Sequence, residues 1–134
     1  MNENDKKKIL IVDDEPNVRR LLRSILSKDY IVLEAEDGRQ AIDIAYTQKP
    51  DLILMDILMP RMDGYTSCSV IKNNPATKSI PILMLTAVGF ELNIKLSQQM
   101  GADGYMTKPF TPQALLEKIA EFLPATEISA GSEG

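Results

Sequence analysis

Ile9-Leu10-Ile11-Val12-Asp13-Asp14-Glu15-Pro16 passes from an unbroken apolar run to three consecutive acids and a proline. A continuous apolar run this short suits a strand buried on both faces, not one with a solvated side. The same kind of ending recurs along the chain. Leu52-Ile53-Leu54-Met55 stops at Asp56, Ile82-Leu83-Met84-Leu85 stops at Thr86, and Tyr105-Met106-Thr107 stops at Lys108. Helical patterns separate these runs. Short buried strands alternating with helices predict an α/β fold, a doubly wound five-stranded parallel sheet with helices on both faces and right-handed crossovers. Parallel strands end along one common edge, where open α/β sheets bind their ligands. Asp13, Asp14, Asp56, Thr86 and Lys108 would therefore gather there. Three carboxylates, a hydroxyl and an amine suit a divalent cation and a phosphoryl group.

The remaining elements follow from periodicity and punctuation. Pro16 fits a first helical turn, and Val18, Leu21, Leu22, Ile25 and Leu26 recur after it with helical spacing. Tyr30 to Glu34 reads as the second strand. Asp37 and Gln40 form a capping box for a helix that runs to about Gln48, with Ala41, Ile42 and Ala45 inward, and stops before Pro50. Asp63-Gly64 reads as a turn pair before a helix carrying Val70 and Ile71, closed by Asn73-Asn74-Pro75. Pro81 introduces the fourth strand. A fourth helix is expected from about Phe90 to Met100, with Gly101 as its stop. The fifth strand spans about Gly104 to Thr107. Thr111 and Pro112 then start the last helix, with Leu115, Leu116, Ile119 and Phe122 on one face. Residues 1–124 are expected to form one domain, and the small, polar stretch 125–134 a flexible tail.

Composition narrows the function. A formal charge of −4 over 134 residues argues against general nucleic-acid binding. Lys6-Lys7-Lys8 precedes a strand and reads as a solvated lead-in. The single cysteine, Cys68, excludes an intrachain disulfide and suits a reducing compartment. No apolar stretch approaches a membrane span and the polar start is no signal peptide, so the expected location is cytoplasmic. Histidine is absent, which excludes imidazole acid–base catalysis and any phosphohistidine within this chain. A phosphoryl donor must come from elsewhere.

The chain resembles the receiver domains of two-component response regulators over roughly Lys7 to Leu123. The resemblance rests on Asp13-Asp14, on Asp56, on Met59-Pro60-Arg61-Met62-Asp63-Gly64, on Thr86-Ala87 and on Lys108-Pro109, in that order and each in its strand context. It implies the flavodoxin-like strand order 2-1-3-4-5, which places the first and third strands side by side. It also implies that Asp56 accepts a phosphoryl group from a phosphohistidine on a sensor histidine kinase or histidine phosphotransfer protein. A carboxylate can act as a nucleophile toward phosphorus, but its charge repels the incoming oxygens, so positive charge is needed. The resemblance supplies Mg²⁺, held by Asp14, Asp56 and the backbone carbonyl of Leu58, with Asp13 acting largely through water. Lys108 would pair with Asp56 and later with a phosphoryl oxygen, Thr86 would donate to another, and the Lys108-Pro109 peptide would be cis.

By the same resemblance, Thr86 and Tyr105 would form a switch. They would alter a face made by the expected fourth helix, the fifth strand and the last helix, which binds a downstream protein or a second copy. Direct contact with nucleic acid or membrane is not expected. Such a module is a phosphoacceptor that assists its own phosphorylation and dephosphorylation, not an enzyme with a separate substrate. Leu58 and Val88 are apolar where the family's attacking water passes, which implies slow loss of the phosphoryl group. The chain could equally be the receiver part of a longer regulator with an output domain. A haloacid-dehalogenase-type phosphohydrolase would carry a second acid two residues after its nucleophile, where this chain has Leu58. A flavin binder would need a neutral phosphate loop where Asp13-Asp14-Glu15 stands.

Overall fold

The computed structural model describes residues 6–57, 64–87 and 99–123, the side chains of Thr86 and Ala87 excepted. Strands β1 (Lys8–Val12), β2 (Ile31–Ala35), β3 (Leu52–Asp56), β4 (Ile82–Ala87) and β5 (Gly104–Lys108) form one sheet. Its order is β2-β1-β3-β4-β5 and every pairing is parallel. Helices α1 (Pro16–Leu26), α2 (Gly38–Gln48) and α3 (Gly64–Lys72) follow the first three strands, and α4 (Pro112–Phe122) follows β5. The helix expected over 90–100 lies, apart from its last two residues, outside the described residues, as do Leu58 to Asp63, Val88 and the stretch 125–134. Gly101, its expected stop, has a φ of +96°, the left-handed conformation that glycine adopts without a Cβ penalty.

Strand alternation divides the interior into two cores. Leu10, Val12, Ile53, Met55, Ile82 and Met84 face α2 and α3, packing with Ala41, Ala45, Cys68 and Ile71. Ile9, Ile11, Leu52, Leu54, Leu83 and Leu85 face the other way, against Leu22 and Leu26 of α1 and Leu115 and Ile119 of α4. Both faces of the central strands are thus sealed, which is why their sequences read as continuous apolar runs and not as alternating ones.

The expected caps are present, with small differences. Asp37 Oδ1 accepts the Gln40 N–H at 2.9 Å, while Gln40 Oε1 accepts from Glu36, one residue ahead of the cap. Lys49 closes α2 in the left-handed conformation at φ 47°, just before Pro50. Thr111 Oγ1 accepts the Ala114 N–H at 3.0 Å. Strand β2 starts one residue later than expected, because the Tyr30 N–H donates to the Leu26 carbonyl and still belongs to the turn closing α1.

Two apolar positions face out instead of in. Leu21 is 58% exposed and Val70 40% exposed. Each stands one residue, about 100° of helical rotation, from a buried neighbour, Leu22 or Ile71. No helix among the described residues is long and apolar enough to cross a membrane.

Opposite the ligand edge, two aspartates join neighbouring strands. Asp51 Oδ2 accepts the first N–H of β1 (Lys8) at 2.8 Å. Asp103 Oδ2 accepts the first N–H of β4 (Ile82) at 2.8 Å and also pairs with Lys72 at 2.9 Å. These bonds pin the strand starts, and strand length then brings the ends level.

Candidate phosphoryl and metal site

Register places the acids. Val12 pairs with Met55, so the next residues on β1 and β3, Asp13 and Asp56, stand side by side at the carboxyl edge. Asp56 also pairs with Leu85 on β4, and Ala87 pairs with Lys108 on β5. Four strands thereby deliver Asp13, Asp56, Thr86 and Lys108 to one place. Ligand oxygens of Asp13, Asp14 and Asp56 lie within 4.8 Å of one another. Asp13 is buried, Asp14 is exposed, and Asp56 lies between. The Lys108 ammonium is 3.4 Å from Asp56 Oδ1 and 3.6 Å from Asp13 Oδ2. The Lys108-Pro109 peptide is cis, as expected.

Among the described residues, charge in this cluster is unbalanced, with three carboxylates facing one ammonium. Burial pushes the Asp56 carboxyl up to about 6, against the pull of Lys108 and with added repulsion from Asp13 and Asp14. Asp13 Oδ1 accepts the Glu15 N–H at 2.9 Å, but its buried Oδ2 accepts no hydrogen bond from the described residues. A buried carboxylate oxygen facing other acids without a donor is suited to a cation. The donor set is all oxygen and open toward Asp14, which matches a hard divalent ion that keeps part of its water. The residues fit Mg²⁺.

Gly64 is the first residue of α3, the helix into which the expected turn pair leads; Asp63, the other half of that pair, lies outside the described residues. A Cβ there would sit 2.5 Å from the Asp56 carbonyl oxygen and 2.9 Å from the Ile57 Cα. Glycine is needed because the helix start lies directly on the strand end that carries Asp56, and the Gly64 N–H donates to the Ile57 carbonyl at 2.9 Å.

The β4 backbone brings Thr86 opposite Thr107, one residue before the Ala87–Lys108 pair. Its side chain, the Leu58 carbonyl and Val88 lie outside the described parts. Tyr105 is 38% exposed on the edge strand β5. Sequence reading missed one group behind the site. Arg19 donates to the Asp13 carbonyl at 2.6 Å and to Glu34 at 3.0 Å. Its signal was faint, an arginine on α1 and a glutamate inside the otherwise apolar β2.

Residues 9–120 match the family model described as the response regulator receiver domain, and the chain belongs to that family. Among curated relatives it is 42% identical over 127 residues to the alkaline phosphatase synthesis transcriptional regulatory protein PhoP of Bacillus subtilis, covering 94% of this chain and 52% of PhoP. It is 41% identical over 124 residues to the transcriptional regulatory protein ResD of the same organism, covering 92% of this chain and 50% of ResD. The chain thus spans about half the length of the curated relatives it matches.

Among solved structures it is similar to the receiver domain of a Pseudomonas aeruginosa sensor histidine kinase with a magnesium ion coordinated in the active site cleft. The TM-score is 0.83 at 30% identity, over 90% of this chain and 99% of that one. A chemotaxis protein CheY4 of Vibrio cholerae gives a TM-score of 0.82 at 32% identity, over 87% and 98%. The protein is a phosphoacceptor switch domain of two-component signal transduction, a family whose members bind Mg²⁺ and work with histidine kinases.

Proposed function

We propose that Asp56 is the phosphoacceptor and that Asp14, Asp56 and the Leu58 carbonyl hold Mg²⁺, with Asp13 acting through water. The observation that carries this reading is the Lys108 ammonium, set between Asp56 Oδ1 and Asp13 Oδ2 inside the acidic cluster. An Asp56 oxygen forms the new bond to phosphorus. The bond from phosphorus to the donor nitrogen breaks, and its electron pair leaves with the donor's imidazole. When bound, Mg²⁺ supplies the positive charge that offsets repulsion between carboxylate and phosphoryl oxygens. Lys108 moves its charge from the Asp56 carboxylate to a phosphoryl oxygen, so the neutralising cation is in place before transfer. Thr86 donates to another phosphoryl oxygen. Tyr105, exposed on β5, turns in response and alters the face built from the expected fourth helix, β5 and α4.

The domain works in the cytoplasm, with a sensor histidine kinase or histidine phosphotransfer protein as partner on the input side and a downstream protein or a second copy on the output side. Residues 1–124 act as the receiver unit. The roughly doubled length of PhoP and ResD, both named as transcriptional regulatory proteins, supports a place for this unit within a longer regulator. Incubation with acetyl phosphate and Mg²⁺ tests the acceptor, with intact mass as the readout. Wild type should gain one phosphoryl group and Asp56→Asn none. Full labelling of Asp56→Asn would place the acceptor elsewhere.

A further inference from the structure

Asp13 is gripped by its backbone as well as its side chain. Its N–H donates to the Ala35 carbonyl at 3.1 Å, and its Oδ1 accepts the Glu15 N–H at 2.9 Å. Its carbonyl accepts from Arg19 Nη1 at 2.6 Å, a charge-assisted bond. With these three contacts made, Oδ2 is the part of Asp13 left facing Lys108 and the other acids. The arginine is itself held. Its Nε donates to Glu34 Oε1 at 3.0 Å, and its side chain is only 17% exposed. Arg23, one turn further along α1, also pairs with Glu34, but its other contact is the Val32 carbonyl at 3.3 Å, not Asp13. Two arginines therefore share one glutamate, and one of them reaches the acidic cluster.

We infer that Arg19 is a positioning residue for the cation site, clamping the Asp13 backbone so that the carboxylate is presented at a fixed place. The inference rests on the Mg²⁺ reading proposed above. A planar guanidinium can hold the end of β1 and a β2 side chain at once, which a single ammonium cannot do with the same geometry. Freed of Arg19, the Asp13 peptide could rotate and the carboxylate would spend part of its time away from the site. Glu34 serves this clamp by orienting Arg19.

Full-length protein variants separate positioning from general stability, with Mg²⁺ titrated in acetyl phosphate labelling and by calorimetry. Groups that orient metal ligands typically cost about 10-fold or more in metal affinity when removed, so Arg19→Ala should raise the half-saturating Mg²⁺ by about that factor. The labelling rate at saturating Mg²⁺ should stay within about twofold of wild type, since the chemistry uses other groups. Arg19→Lys, which restores one donor, should recover part of the affinity. Arg23→Ala breaks a bond to the same glutamate on the same helix and should leave the Mg²⁺ response unchanged.

Equal shifts in Arg19→Ala and Arg23→Ala, or no shift in either, would overturn the inference. Asp14→Asn distinguishes the underlying reading. If Asp14→Asn keeps wild-type Mg²⁺ affinity, the cation site itself is misassigned. If it loses Mg²⁺ while Arg19→Ala does not, only the positioning role fails.

Discussion

Replacing Asp56 by asparagine should stabilise the metal-free protein at neutral pH, although it removes the proposed phosphoacceptor. Asp56 sits among Asp13 and Asp14 with Lys108 as the nearby cation, and its carboxyl is pushed up from an ordinary 3.8 to about 6. The folded chain therefore holds this proton more tightly than the unfolded chain. Where the native state binds more protons, stability falls as pH rises. The wild type should lose stability between about pH 4 and pH 6 and carry the full penalty above that. At about 1.4 kcal/mol per pKa unit the shift corresponds to about 3 kcal/mol, and solvent reaching the half-buried group lowers this to about 2 kcal/mol.

Asparagine keeps the shape and does not titrate. With an m-value of about 2 kcal/mol per molar, the Asp56→Asn urea midpoint should exceed wild type by about 1 M at pH 7.5 in a chelator. The gap should close as pH approaches 4. Saturating Mg²⁺ should also narrow it at neutral pH, because an ion bound to the native state stabilises by linkage and binds the wild type better. Circular dichroism across a pH series measures all three arms. Parallel profiles for the two proteins from pH 4 to 7.5 would refute the reasoning.

Removing Asp14 should weaken Mg²⁺ binding far more than removing Glu15, whose N–H caps Asp13 while its side chain is exposed; calorimetry on Asp14→Asn and Glu15→Gln checks this. Gly64→Ala should cost about 2–4 kcal/mol in chemical denaturation, since the new Cβ would collide with the Asp56 carbonyl and backbone cannot easily yield. Thr86→Ala should still accept the phosphoryl group but respond less in partner binding or dimerisation, because coupling is a population shift that the hydroxyl biases; a wild-type response by size-exclusion or pull-down would reject that route. Leu58→Asn combined with Val88→Glu should speed phosphate loss from Asp56 by giving an attacking water polar partners, and a time course of intact mass reads the decay.

Much of this protein is set by sequence alone, for local reasons. Apolar runs sealed on both faces, a capping aspartate at Asp37 and the Thr111-Pro112 start act over a few residues, so they can be read without a fold. Because parallel strands end on one edge, the meeting of Asp13, Asp56 and Lys108 followed from topology as soon as the strands were recognised.

Other features depend on contacts between distant segments. That Leu21 and Val70 face outward depends on which arc of each helix meets the sheet, and a difference of one residue decides it. The need for glycine at Gly64 shows only when the helix start is seen resting on the Asp56 carbonyl. The grip of Arg19 on the Asp13 backbone and the clamps of Asp51 and Asp103 join segments far apart in the chain through single polar contacts, which leave no periodic trace. Side-chain chemistry announces what a site can do, and tertiary packing decides which backbone groups and charges hold it in place.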